Sequence, residues 1–96
     1  MERRKYEEVG EIVLRALRQA GLETPLLEYR LVKAWPAVAG SSVAAYTESV
    51  RVYNQRLYVK LKSPALRSNL MMERGRLVKA LNEAAGATVI VDIVFS

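Results

Sequence analysis

Between Arg51 and Lys79 the chain carries eight basic side chains (Arg51, Arg56, Lys60, Lys62, Arg67, Arg74, Arg76 and Lys79) against one acid, Glu73. Tyr53 and Tyr58 fall inside the same window. Cations neutralise phosphates and release their counterions, and tyrosine rings stack on unpaired bases. Basic and aromatic groups interleaved in this way suit a single-stranded nucleic acid. The same composition suits two other situations. Lys and Tyr are ordinary on the solvated face of a hairpin, where they discourage edge-to-edge aggregation. An acidic protein surface would also meet these cations.

Bond-making chemistry finds little support. The 96 residues include no histidine and no cysteine, which removes imidazole bases, His-containing triads, thiolate metal sites and disulfides. No serine has an evident base beside it. The glycines at 10, 21, 40, 75 and 86 never reach the spacing of a phosphate-binding loop. Carboxylates belong to helix surfaces, apart from Asp92 in a late apolar run; it lies at a strand end, pairs with a base or faces water. The chain therefore reads as a binding module rather than an enzyme, with no catalytic residue, metal or cofactor.

The net charge of +5 has a definite origin. Residues 1–50 hold seven basic and seven acidic side chains, whereas residues 51–96 hold eight and three. Length bounds the rest: residues 1–96 make one domain with one core. No stretch approaches the ~20 apolar residues of a membrane span. The opening MERRKYEEVG is charged where a signal peptide needs its apolar core. A cytoplasmic location is expected.

Periodicity supplies the elements that must position these groups. A helix is predicted from about Lys5 to Ala20, with Val9, Ile12, Val13, Ala16, Leu17 and Ala20 on one buried stripe. A second begins at Thr24-Pro25 and is ended or kinked by Pro36; Leu27, Leu31, Ala34 and Trp35 line one side. Trp35 reads as a core anchor, with an exposed partner-binding anchor as the alternative. Ala37–Ala45 is small and apolar, with a turn at Gly40. The period then changes to two. Ser49–Tyr53 and Arg56–Lys62 form a hairpin around Asn54-Gln55, or around a longer turn. Leu57, Val59 and Leu61 make one face aliphatic, and Tyr58, Lys60 and Lys62 share the other with Arg51 and Tyr53.

Ser63-Pro64 opens a long helix to Ala85, closed by Gly86, with Leu66, Leu70, Leu77 and Leu81 inward and one of Met71 and Met72 packed inside. Gly75 marks either close packing or a kink. The β-branched run Thr88–Phe95 is a strand covered on much of both sides. The order α-α-β-β-α-β gives an α+β fold with a three-stranded mixed sheet, its second and third strands parallel across the helical crossover.

Ala34-Trp35-Pro36-Ala37-Val38-Ala39-Gly40 followed by Val43-Ala44-Ala45-Tyr46-Thr47 resembles the W-x-x-V-x-G…V-A-x-x-T core of the DciA-like family. Leu57-Tyr58-Val59, Pro64 to Leu70, Leu81-Asn82-Glu83, Gly86 and Ile93-Val94-Phe95 continue the match over nearly the whole chain. The length is similar to the short form of the Bacteroidetes group. Longer members carry a disordered extension, whereas this sequence stops at Ser96. The resemblance implies a KH-like domain and a DNA-replication role as loader or accessory of the replicative helicase, with single- or double-stranded DNA as a further partner. The GxxG loop that clamps RNA in KH domains is absent. By matching position, Arg51, Lys60, Lys62 and Arg67 are the DNA-facing residues the resemblance implies; the residue pattern adds Tyr53, Arg56, Tyr58 and Arg74. A protein-only adaptor and an RNA- or ribosome-associated KH-like module are the alternatives.

Overall fold

The computed structural model describes residue 12, residues 15 and 16, and residues 23–96. Its elements are α1 (Glu23–Ala39), α2 (Ser41–Ala45), β1 (Thr47–Tyr53), β2 (Arg56–Leu61), α3 (Pro64–Met72), α4 (Arg74–Ala85) and β3 (Asp92–Phe95). The strands form one sheet in the order β1-β2-β3, with β1 antiparallel and β3 parallel to β2. The fold is α+β with a mixed three-stranded sheet, as the change of period implied.

Alternation along β2 fixes how the layers stack. Leu57 and Val59 are fully buried, while Arg56 and Lys60 are exposed. Val52, Val50 and Ile93 are their cross-strand partners and extend the same apolar face. Leu31 and Trp35 of α1, Leu70 of α3, and Leu77, Leu81 and Ala85 of α4 pack there in a single cluster. Each such aliphatic side chain contributes about 1.5–3 kcal/mol by leaving water. All the helices in this cluster cover one side of the sheet.

Trp35 is the core anchor. Its ring lies 6.3 Å from that of Phe95, and its indole N–H donates to Thr47 Oγ1 at 3.1 Å. The Thr47 hydroxyl donates in turn to the Val43 carbonyl at 2.8 Å. This chain leaves the buried indole N–H satisfied, as burial of a Trp requires. It also ties α1 to α2 and to the first residue of β1.

Several elements differ from the periodicity reading. Pro36 does not end its helix: α1 continues to Ala39, and the Gly40 N–H bonds the Pro36 carbonyl at 3.0 Å. The proline removes one N–H from the ladder, but Trp35 on one side and Val38 and Ala39 on the other are packed on the core and hold the turn. The chain then reverses at Gly40, whose φ of 99° is available to glycine at little cost. The expected long helix is two, α3 and α4, broken at Glu73 with φ −98° and ψ 6°. Gly75 fits the kink and not close packing, because a Cβ there would meet open space. Its low helix propensity weakens the first turn of α4. Neither Met71 nor Met72 packs inside: both are exposed, at 51% and 87%.

The last strand is shorter than its β-branched run. Residues 88–91 form no ladder, and only Asp92–Phe95 pairs with β2. Asn82 takes the place of a partner strand. Its Oδ1 accepts from the Val89 and Ile90 N–H groups at 2.9 and 3.1 Å, and its Nδ2 donates to the Ile90 carbonyl at 2.9 Å. Ile90 is thereby held fully buried, whereas Val91 and Val94 remain exposed, so the strand is covered on one side only. Gly86 closes α4 as expected, in a Schellman arrangement with bonds from Gly86 N to Glu83 O and from Ala87 N to Asn82 O, each 3.2 Å.

Ile12, Arg15 and Ala16 are helical and exposed. Ile12 and Ala16 therefore do not lie on the expected buried stripe, since the described core closes without them. The rest of the helix expected over 5–20 lies outside the described residues.

Asn82→Ala strands two N–H groups and a carbonyl in a part-buried segment, at a cost of about 2–4 kcal/mol. The urea midpoint should fall accordingly. Asn82→Asp, which keeps both acceptor bonds, should lose less.

Candidate nucleic-acid interface

The face of the sheet turned away from the helices holds most of the residues singled out from sequence. A two-residue turn, Asn54-Gln55, joins β1 to β2, with φ of 52° and 62°. Both values are positive, as a type I′ turn requires, and its twist matches that of the strands. No longer turn is needed, and Asn54 and Gln55 tolerate the left-handed region without glycine. This turn fixes the register, and the register fixes which side chains lie opposite one another.

Three rows result. Nearest the turn, Tyr53 of β1 lies opposite Arg56 of β2, and Arg56 opposite Asp92 of β3. In the middle row Arg51, Tyr58 and Val94 are aligned. Ser49 and Lys60 form the third row. A β-bulge between Thr47 and Ser49 puts Glu48 beside them. Tyr53 is 65% exposed, and Tyr58 is half-buried.

The eight residues singled out from sequence are not equivalent in this arrangement. Arg51, Tyr53, Arg56, Tyr58 and Lys60 share the outer face. Lys62 lies just past the end of β2, its N–H bonded to the Tyr46 carbonyl at 2.8 Å. Arg67 belongs to α3, which packs through Leu66 and Leu70 on the opposite side of the sheet. Arg74, at the start of α4, reaches round to Asp92.

Ion pairs sort the cations further. Lys60 Nζ is 3.6 Å from Glu48 Oε2, Arg74 Nε is 3.1 Å from Asp92 Oδ1, and Arg76 Nη2 is 3.1 Å from Glu73 Oε1. Asp92 therefore pairs with a base and stands at a strand end, where its carboxylate also accepts the Ile93 N–H at 2.9 Å. Among the described residues Arg56, Lys62, Arg67 and Lys79 have no acidic partner. The Arg51 guanidinium lies over the Tyr58 ring, 5.2 Å from its centroid. That contact pre-orients the arginine without neutralising it, and it covers one face of the Tyr58 ring. Among the described residues of this face, Tyr53 is the exposed ring with no cation over it.

The basic and aromatic residues, and a basic partner for Asp92, were legible in the sequence; Glu48 was not, since its carboxylate was expected on a helix surface and lies in β1 beside Lys60. Glu48 and Asp92 both lie outside the acid-poor window. The only signal for Glu48 was its nearness to the start of the first strand, which needed the bulge to become meaningful. Among the described residues no three acidic side chains cluster to hold a metal, and no helix is long and apolar enough to cross a membrane.

The two ion pairs on this face are 41–63% exposed, so water screens them and each is worth under about 1 kcal/mol. Glu48→Gln and Asp92→Asn should each lower the free energy of unfolding by no more than that amount. A larger loss in urea unfolding would show that these pairs hold the sheet together.

The family described as "Dna[CI] antecedent, DciA" matches this chain over residues 8–95. No curated protein compared with the chain matches it.

Proposed function

The chain belongs to the DciA family, whose role is related to loading of the replicative helicase, and from that premise we propose a specific division of labour. The protein is a cytoplasmic, non-enzymatic replication accessory that associates with the helicase and contacts DNA through the outer face of its sheet. One observation supports the DNA contact above the others. Arg51 and Arg56, without acidic partners among the described residues, stand beside an exposed Tyr53 on the sheet. Arginine offers phosphate a bidentate fork, and a tyrosine next to it offers a base a stacking surface.

The hairpin holds these groups through backbone pairing, so binding costs little ordering of the chain. The DNA-facing set is Arg51, Tyr53 and Arg56, with Tyr58 supporting Arg51. Lys60, Lys62, Arg67 and Arg74 are more distant or partnered, and contribute through the general positive field.

Two measurements test this. A single-stranded oligonucleotide should bind at about 50 mM salt and weaken as salt rises, with a log–log slope near −1.4, about −0.7 for each of two neutralised phosphates. Arg51→Glu and Arg56→Glu should each weaken binding about tenfold or more, against less than about threefold for Arg67→Glu in the helical layer. Binding that is absent or insensitive to salt removes the DNA contact and favours the adaptor role. Tighter binding to RNA than to DNA of equal length favours the RNA-associated one. Co-purification with the host's replicative helicase tests the other half.

A further inference from the structure

The two acids on the outer face sit at its opposite corners. Glu48 is on the β1 edge, in the row farthest from the turn; Asp92 is on the β3 edge, in the row beside the turn. Each holds a cation that would otherwise extend the positive track, Lys60 in one case and Arg74 in the other. We propose that Glu48 and Asp92 bracket the nucleic-acid track, limiting a single strand to the segment spanned by Arg51 and Arg56. This rests on the reading of the face as a DNA interface and adds what sets its length.

Charge and spacing set this limit. Arg51 lies opposite Tyr58, and Arg56 is two residues from Tyr58 on the same face, a diagonal of about 7–8 Å. That is of the order of the separation between consecutive phosphates on a single strand, so the pair can neutralise two. A third phosphate continuing in either direction meets an ion pair. There it must displace a carboxylate already within 3.6 Å of Lys60 or 3.1 Å of Arg74, and the displaced carboxylate then repels it. Tyr53, beside Arg56, receives a base within the bracketed segment.

A short site with weak individual contacts releases DNA readily. That is the behaviour a loading accessory needs when it hands a strand to another protein. The acids are thus specificity-determining residues that shorten the footprint, while the arginines provide the attraction.

The test uses the full chain and oligothymidylate, followed by fluorescence anisotropy over a salt series. Glu48→Gln and Asp92→Asn should each tighten binding about three- to tenfold and steepen the salt slope by about 0.7, as one further cation becomes available to phosphate. The double variant should steepen it by about 1.4. The amide introduced by Asp92→Asn retains an oxygen for the Ile93 N–H, so the strand start is preserved. Glu83→Gln on α4 makes the same change in net charge in the helical layer, and should alter affinity less than about twofold.

Equal tightening by all three single variants would reduce the effect to net charge and overturn the bracket. Unchanged affinity in both bracket variants, with wild-type binding intact, would overturn it as well while leaving the interface standing. Wild-type protein that binds no oligothymidylate at about 50 mM salt would remove the interface and the bracket together.

Discussion

A three-stranded sheet has two faces, and the described helices of this chain cover one of them. The constraint enters through β2, the central strand. Leu57 and Val59 alternate with Arg56, Tyr58 and Lys60, so burial of the aliphatic pair forces the polar trio outward. A slip of one residue would bury an arginine and a lysine and expose the core, at a cost no small domain could bear. The basic surface is therefore a direct consequence of packing the core. It needs no separate element to hold it.

Two polar side chains stabilise what packing alone leaves loose. Thr47 receives the Trp35 indole N–H and passes the bonding on to α2, which fixes where β1 begins. Asn82 binds the backbone of residues 89 and 90, delivering the chain to β3 in register beside β2. Both devices satisfy groups that would otherwise be buried without partners. The sheet's edges are thus placed by side-chain hydrogen bonds from the helical layer, and the outer face inherits that precision.

Charge is distributed more finely than its sum suggests. The acid-poor stretch from Arg51 to Lys79 looked continuous along the chain, but folding splits it between two layers and brings Glu48 and Asp92 to two of its cations. Among the described residues, what remains on the sheet without an acidic partner is compact: Arg51 and Arg56, with Tyr53 beside them.

Much of this was legible in the sequence. The hairpin, its two faces, the buried Trp35, the Gly40 and Gly86 stops and the mixed sheet follow from local periodicity, turn chemistry and the steric freedom of glycine, all of which act over a few residues. The family resemblance likewise rested on local motifs in order. What the sequence left open depends on distant partners. Pro36 stays inside its helix because the core holds it, the helix expected to run on to Ala85 breaks at Glu73, and residues 89 and 90 stay out of the sheet because Asn82 occupies their backbone. The ion pairs are of the same kind, since Lys60 and Glu48 lie twelve positions apart and Arg74 and Asp92 eighteen. Periodicity determines which way a side chain points, but only the tertiary fold decides what it meets there.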